Sequence, residues 1–402
     1  MAASKKFALP PNSTSAIDWQ TTAQIIGDEL SSTAPQREAE TRRPITEIQR
    51  LREASLLTLT IPAEHGGGGL NWQSALRIVR EIARGDGSVG ALFGYHLLDL
   101  AIPFLSGTAE QRERFECDSA RHRWFWGGVI NPLDVALVAE PDGNGFILNG
   151  RKTFCTGAAL ANRIIVNAEL AGSDAPAYFI VPADRKGISP GNDWNNLGFR
   201  LTESGSVTFT DVHASVDELL GVDGRPPDPV RSSLAVPMIQ MMFTNLYLGS
   251  ALGALKASRA YTLTAARPWL LSGLTEASED PYAVEQYGEL WIKLSAAIAL
   301  AEQAATSLQS TIDQIDFITS RARGQASVNV AAAKVFAART ALEITSGIFE
   351  LMGARATATH YAFDRFWRDV RTHTLHDPIS YKAREVGDLF LNDRVPEPTF
   401  YT

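Results

Sequence analysis

GFILNGRKTFCTGA, residues 145–158, is the stretch whose reading decides the fold of this 402-residue chain. Its apolar residues are short, extended runs, and Asn149-Gly150 between them predicts a β-hairpin turn. WFWGGVINP (124–132), RIIVNAEL (163–170), APAYFIVPA (175–183) and GSVTFTDVHA (205–214) repeat the pattern, each bounded by turn residues. Residues 121–225 are therefore expected to form a middle β domain, a small sandwich or barrel.

Outward from this block the texture is helical in both directions. Residues 1–15 read as a flexible lead, and Ala16 to Ser55 as surface helices with spaced Ile and Leu. Leu56 to Pro62 is a short apolar stretch, followed by Gly66 to Gly69. Four glycines invite a phosphate cradle, but neither the Lys-Ser/Thr of a P-loop nor a strand–GxGxxG–helix context is present, so a tight turn is the better reading. Trp72 to Arg84 is amphipathic, Asp86-Gly87-Ser88 interrupts it, and Val89 to Leu105 is apolar and carries Tyr95 and His96. Residues 1–120 thus read as an N-terminal α-helical domain. Past the loop at 221–229, Val284, Tyr287, Trp291, Leu294, Ile298 and Leu308 predict one buried stripe, and Val328, Val335, Leu342 and Phe349 recur every seven residues. Residues 230–402 are expected to be a C-terminal bundle of about four long helices. The class is α+β, in the order helices, β domain, helices.

Composition narrows the function. The chain is 45% hydrophobic and 20% charged, with a formal net charge of -8, which argues against a nucleic-acid partner. No signal-like or membrane-length apolar run stands out, so no membrane partner and a cytoplasmic location are expected. Cys117 and Cys155 are too few for a disulfide framework or a zinc site, and no metal is expected.

The chemistry concentrates in GARATATHYAFDRFWRDVRTHTLHDPISY, residues 353–381. Arg355, Arg365, Arg368 and Arg371 stand among Tyr361, Phe363, Phe366 and Trp367. Guanidinium forks take phosphate and flat rings pack on a heterocycle, so the mix suits a planar anionic ligand. A helix is expected to end near Arg371, a loop carrying His373 and His376 to cross the site, and a last helix to begin near Pro378.

With LNGRKTFCTGA in the β domain and a helical C-terminal part, the chain resembles the acyl-CoA dehydrogenase superfamily. The nearer resemblance is to its branch of reduced-flavin-dependent monooxygenases, typified by dibenzothiophene monooxygenase. GYHL (94–97), FCTGA (154–158), NDW and GFRLTESGS (within 192–206), ARPW (266–269), EDPY (279–282), GAR (353–355) and FDRFWR with RTHTLHDPISYK (within 363–382) carry it, in order, over nearly the whole chain. Two departures stand out. The segment from Trp124 to Glu140 is shorter than in that branch, and Thr156 stands where serine is usual.

The resemblance implies reduced FMN (FMNH2) rather than FAD, dioxygen as co-substrate, and a C4a-hydroperoxyflavin that oxygenates an organosulfur compound, dibenzothiophene-like or a smaller sulfide. A flavin-dependent N-hydroxylase and an aromatic (indole) oxygenase are sibling readings. With no NAD(P)H fingerprint, the flavin would come from a separate NAD(P)H:flavin reductase, and a homotetramer is implied. His96, Thr156 and His376 are the implied catalytic residues. Thr156, Trp194, Arg267, Arg355 and His376 would bind the cofactor, with the arginines on its phosphate. Tyr95, His96 and Asn131 would line the substrate pocket. On residue chemistry alone His96, in an apolar helix, is a satisfied core histidine, the arginines are helix-end ion pairs, and His373 is structural. An FAD-dependent acyl-CoA dehydrogenase remains the competing class. It needs a carboxylate base, in many members a glutamate on the segment matching 372–378, where here only Asp377 stands.

Overall fold

The computed structural model describes residues 18–134, 137–171, 176–399 and 401–402. The lead expected over 1–15 lies outside them. The chain opens with α1 (Trp19–Glu40), α2 (Ile45–Glu53), α3 (Trp72–Gly85), α4 (Gly87–Ser106) and α5 (Ala109–His122). Asp86 sets the α3–α4 corner: its carboxylate caps α4 at the Val89 N–H (3.0 Å) and takes the buried Arg37 guanidinium at 2.6 Å. That ion pair ties α1 to the corner. Helix α4 is long and apolar enough to cross a membrane, yet 89% of its apolar window is buried inside the protein. A helix apolar on every side is a core helix.

Seven strands follow: β1 (Trp126–Val129), β2 (Leu137–Asp142), β3 (Gly145–Lys152), β4 (Arg163–Leu170), β5 (Pro176–Pro182), β6 (Ile188–Pro190) and β7 (Val207–Ser215). They join in one sheet ordered β1-β4-β2-β3-β7-β6, with β5 on β4. The sheet closes over its own core: Ile164 and Val166 from β4 meet Leu148 from β3 and Phe209 and Val212 from β7. The alternate residues Trp126, Ile165 and Ile180 face the helical core instead.

One expectation in this region is corrected. Asn149-Gly150 is not a hairpin turn but lies inside β3, where the pairing with β7 shifts between Leu148 and Gly150. Gly150 has φ +134°, outside the conformations of a two-residue turn, and Asn149 exchanges hydrogen bonds with Asp211 across the bulge. The turn falls earlier, at Gly143-Asn144 between β2 and β3, with Gly143 at φ +58°.

The chain then returns to helices: α6 (Pro229–Ser232), α7 (Ala235–Thr264), α8 (Pro281–Asp313), α9 (Ser320–Met352), α10 (Asp364–His373) and α11 (Ile379–Asn392). Among the described residues three helices are long, α7, α8 and α9; the shorter α11 packs on α9, and the histidine loop separates it from α10. On α8 the buried stripe runs through Leu290, Leu294, Ala297, Ala301, Ala304 and Leu308, while Val284 and Trp291 of the expected stripe are exposed. The apolar core is continuous from Ala23 in α1 to Val370 in α10. Gly249 and Gly253 let α7 press on α3, since a Cβ on either would fall within 2.5 Å of the Arg80 or Arg84 carbonyl oxygen.

Candidate active site

The site is assembled where α4, α7, α9, the α10–α11 loop and the turn after β3 meet. The turn is rigid because its backbone is bonded on three sides. Cys155 N–H donates to Gly205 O (3.0 Å), Gly157 N–H to Thr202 O (3.1 Å) and Gly128 N–H to Thr156 O (3.2 Å). Phe154 sits at φ +55° and its ring is 63% exposed, beside the half-buried Trp194 at 6.0 Å.

Thr156 ends a hydroxyl chain whose polarity can be deduced. Thr202 Oγ1–H donates to the Phe199 carbonyl (2.9 Å), so its oxygen accepts from Ser204 (2.7 Å). The Ser204 oxygen must then accept the Thr156 proton (2.9 Å). Each hydroxyl has one proton to give, so Thr156 presents a lone pair to the site. Phe199 is the hub. Its carbonyl also takes the Trp194 indole N–H (2.7 Å), its N–H donates to Asp369 Oδ1 (2.6 Å), and its ring packs edge-on to His373 at 5.3 Å.

His373 and His376 stack at 5.6 Å and both lie against Phe243. His373 is buried and structural, as its residue chemistry suggested, but tyrosines hold it: Tyr247 OH at Nδ1 (3.0 Å) and Tyr95 OH at Nε2 (3.3 Å). Burial first, then His376 and Lys334, push its pKa well down, so it is a neutral ring. Tyr95, expected in the substrate pocket, therefore faces this ring. His376 differs, being 39% exposed in its side chain with Nδ1 3.3 Å from Asp377 Oδ1. The same oxygen takes the Lys334 ammonium at 2.5 Å, a pair almost completely buried. Burial alone would raise the Asp377 carboxyl; His376 and Lys334 outweigh it and hold it well below the usual carboxylate range.

His96 is corrected. It is fully buried, Trp126 N–H donates to its Nδ1 (3.0 Å), and its Nε2–H donates to Leu57 O (2.8 Å). Both nitrogens are engaged by backbone, and burial drives its pKa down to about 4, so neither proton transfer nor substrate contact is open to it. The apolar-helix reading of this histidine is the right one. Asn131 likewise serves its own loop, receiving the Leu133 N–H (3.1 Å) and donating to Thr153 Oγ1 (3.3 Å).

Arg267 and Arg355 are exposed and have no hydrogen-bond or ion-pair partner among the described residues. They follow the C-terminal ends of α7 and α9, and Tyr361, six residues past Arg355, meets the Tyr261 ring at 5.2 Å. Tyr261 is eighteen residues along α7 from Phe243, about 27 Å at helical rise. The fold of this chain does not bring these arginines to His376. Missed by sequence reasoning were Lys334, Gln240, Phe243, Tyr247, Phe199 and Asp99. Asp99 is buried in α4 against Gly128, its Oδ2 is unpartnered, and burial raises its pKa well above the usual range. Tyr95 and Asp99, four apart in an apolar helix, were the one available hint.

Comparison with known proteins agrees with this architecture. Models of the acyl-CoA dehydrogenase N-terminal, middle and C-terminal domains match residues 19–121, 131–212 and 241–381. The chain is 41% identical to a dibenzothiophene monooxygenase of Mycolicibacterium goodii, over 95% of this chain and 93% of that one. Methanesulfinate monooxygenase MsuC from Pseudomonas fluorescens superposes with a TM-score of 0.92 at 39% identity, covering 95% and 99% of the two chains. TdsC from Paenibacillus sp. A11-2, in complex with FMN and indole, superposes at 0.89 and 39%, covering 96% and 100%. The chain belongs to the acyl-CoA dehydrogenase family, in its branch of flavin-dependent monooxygenases.

Proposed function

We propose that this protein is the oxygenase of a two-component system, using reduced FMN and dioxygen to oxygenate an organosulfur compound. The observation that carries the reading is the state of Asp377. A dehydrogenase needs a free carboxylate base, which many members of the superfamily carry on this segment. Here the only candidate is buried, paired with Lys334 at 2.5 Å and held far below the range of a useful base. What faces the site instead is His376, a partly exposed imidazole able to hold or move a proton.

The residues fit a flavin. Exposed Phe154 and half-buried Trp194 offer aromatic surface for a flat heterocycle, and the Thr156 lone pair suits a donor such as the N5–H of the reduced ring. Reduced FMN, when bound, supplies the two electrons that activate dioxygen. The chain's own part is to orient and to exclude water. Trp194 and Phe154 would cover such a ring, Thr156 would accept a hydrogen bond from it, and His376 Nε2 would hold or move a proton in the site.

Arg267 and Arg355 would hold the phosphate of a flavin seated in a neighbouring subunit. Their distance from His376 within one chain supports this, as do Trp291 and Ile292 on α8 and Phe390 and Leu391 on α11, all exposed. The assembly is a homotetramer acting in the cytoplasm, with reduced flavin delivered by a separate NAD(P)H:flavin reductase. The substrate is a dibenzothiophene-like compound or a smaller sulfide. TdsC, crystallised with indole, favours aromatic oxygenation as a second reading.

The deciding experiment supplies the protein with FMN, NADH, a flavin reductase and labelled dioxygen, and screens sulfides, sulfinates and indole by mass spectrometry. Label in a product supports the reading. No label with any of them, together with anaerobic flavin bleaching by an acyl-CoA in the presence of FAD, would replace it with the dehydrogenase.

A further inference from the structure

Lys334 lies in the middle of α9, 1% exposed, and none of its three protons faces water. Asp377 Oδ1 takes one at 2.5 Å, the Gln240 side-chain carbonyl takes another, and the ammonium stands 5.3 Å from the centre of the Phe243 ring. An ion pair buried this deeply costs much of what its attraction returns, and an apolar pair of the same size packs as well or better. This pair also ends on an exposed histidine, because Asp377 Oδ1 is shared with His376 Nδ1 at 3.3 Å, while Asp377 Oδ2 is buried without a partner.

We propose that Lys334 is a positioning residue that acts through Asp377. By holding Asp377 as a fixed carboxylate, it keeps the His376 proton on Nδ1 and presents Nε2 to the site as an acceptor. The proposal rests on His376 being the proton-handling group of the oxygenase. The surroundings leave this task to Lys334. On α10, His373 is neutral and committed to Tyr95 and Tyr247. On α11, Lys382 is paired with Glu385 at 2.9 Å, so its charge is answered there. The Tyr401 ring meets His376 edge-on at 6.4 Å. Lys334 is thus the cation in direct contact with the carboxylate that His376 touches.

The test begins with nitrogen-15 histidine NMR of the flavin-free protein at neutral pH, where Lys334, which burial lowers to about 8, keeps its ammonium; the His376 signals are assigned by their loss in His376→Ala. The wild type should show Nδ1 protonated and Nε2 bare. In Lys334→Met, Asp377 loses its cation and that signature should give way to another protonation form. A double variant, Lys334→Met with Asp377→Asn, removes both buried charges, protects the fold and should lose the signature too. In turnover, Lys334→Met should cost about tenfold or more in the wild-type background and nothing further in His376→Ala. An unchanged His376 signature, or additive losses in the two backgrounds, overturns the proposal. Because the NMR arm needs neither flavin nor substrate, it decides the positioning role separately from the oxygenase reading.

Discussion

His96 and His376 make an instructive pair. Both stand in segments that resemble the same family, and the resemblance implies a catalytic role for both. In the folded chain His96 has backbone on each nitrogen, while His376 has a carboxylate on one and the site before the other. A histidine's chemical usefulness is set by the nitrogen left uncommitted. The N-terminal helices use theirs to tie α4 to Leu57 and to Trp126 in β1. The α10–α11 loop places one nitrogen of its own on Asp377 and leaves its side chain partly exposed.

Substitution should separate the two roles. His376→Ala should lower oxygenation by about 100-fold to 10,000-fold while thermal unfolding and oligomer size stay unchanged, as expected for loss of a general acid or base. Turnover within threefold of wild type would take His376 out of the mechanism. His96→Ala should do the reverse. It strips partners from the buried Trp126 N–H and Leu57 carbonyl, and we expect about 3 kcal/mol of lost stability by urea unfolding. Activity per folded molecule should hardly change. A stable His96→Ala that is inactive would break the comparison.

Acid sharpens it. Burial holds His96 at about 4 in the folded state against about 6.5 in an unfolded chain. Between those values the unfolded chain takes up a proton that the folded ring refuses. Stability therefore falls as pH drops through about 6.5 toward 4, by up to about 1.4 kcal/mol per pH unit for this ring. His373, also driven down by burial, adds to the slope in the same direction. His96→Gln should flatten the profile. An identical slope would mean that His96 does not refuse the proton.

Much of this was legible beforehand, for reasons that particular residues make plain. Helical periods located α3 and α9, and the short β-rich runs located the sheet. Asn149-Gly150 misled because the same dipeptide suits a turn and a bulge, and only the pairing with β7 distinguishes them. Thr156, Trp194 and His376 were named from sequence because they sit in compact motifs. Lys334 and Gln240 were not, since each is a single polar residue in a long helix with no local pattern. Asp377, the carboxylate that Lys334 holds, lies 43 residues further along the chain, and burial alone gives the contact its meaning. The distance of Arg267 and Arg355 from His376 was equally hidden, because motif order carries no length scale.

Thr156 gives the smallest effect and the finest test. Thr156→Ser keeps the hydroxyl and its link to Ser204, losing one methyl from a half-exposed position. Turnover and the ratio of product to released peroxide should change less than about threefold, under 1 kcal/mol. Thr156→Val keeps the shape and removes the acceptor, and it leaves the Ser204 oxygen without its donor. That variant should bind reduced FMN at least about tenfold more weakly, a cost of about 1.4 kcal/mol for one lost hydrogen bond. Equal binding by the Ser and Val variants would show that the lone pair derived from the Phe199–Thr202–Ser204 chain does not meet the flavin. The aromatic cover of Phe154 and Trp194 would then be what holds the ring.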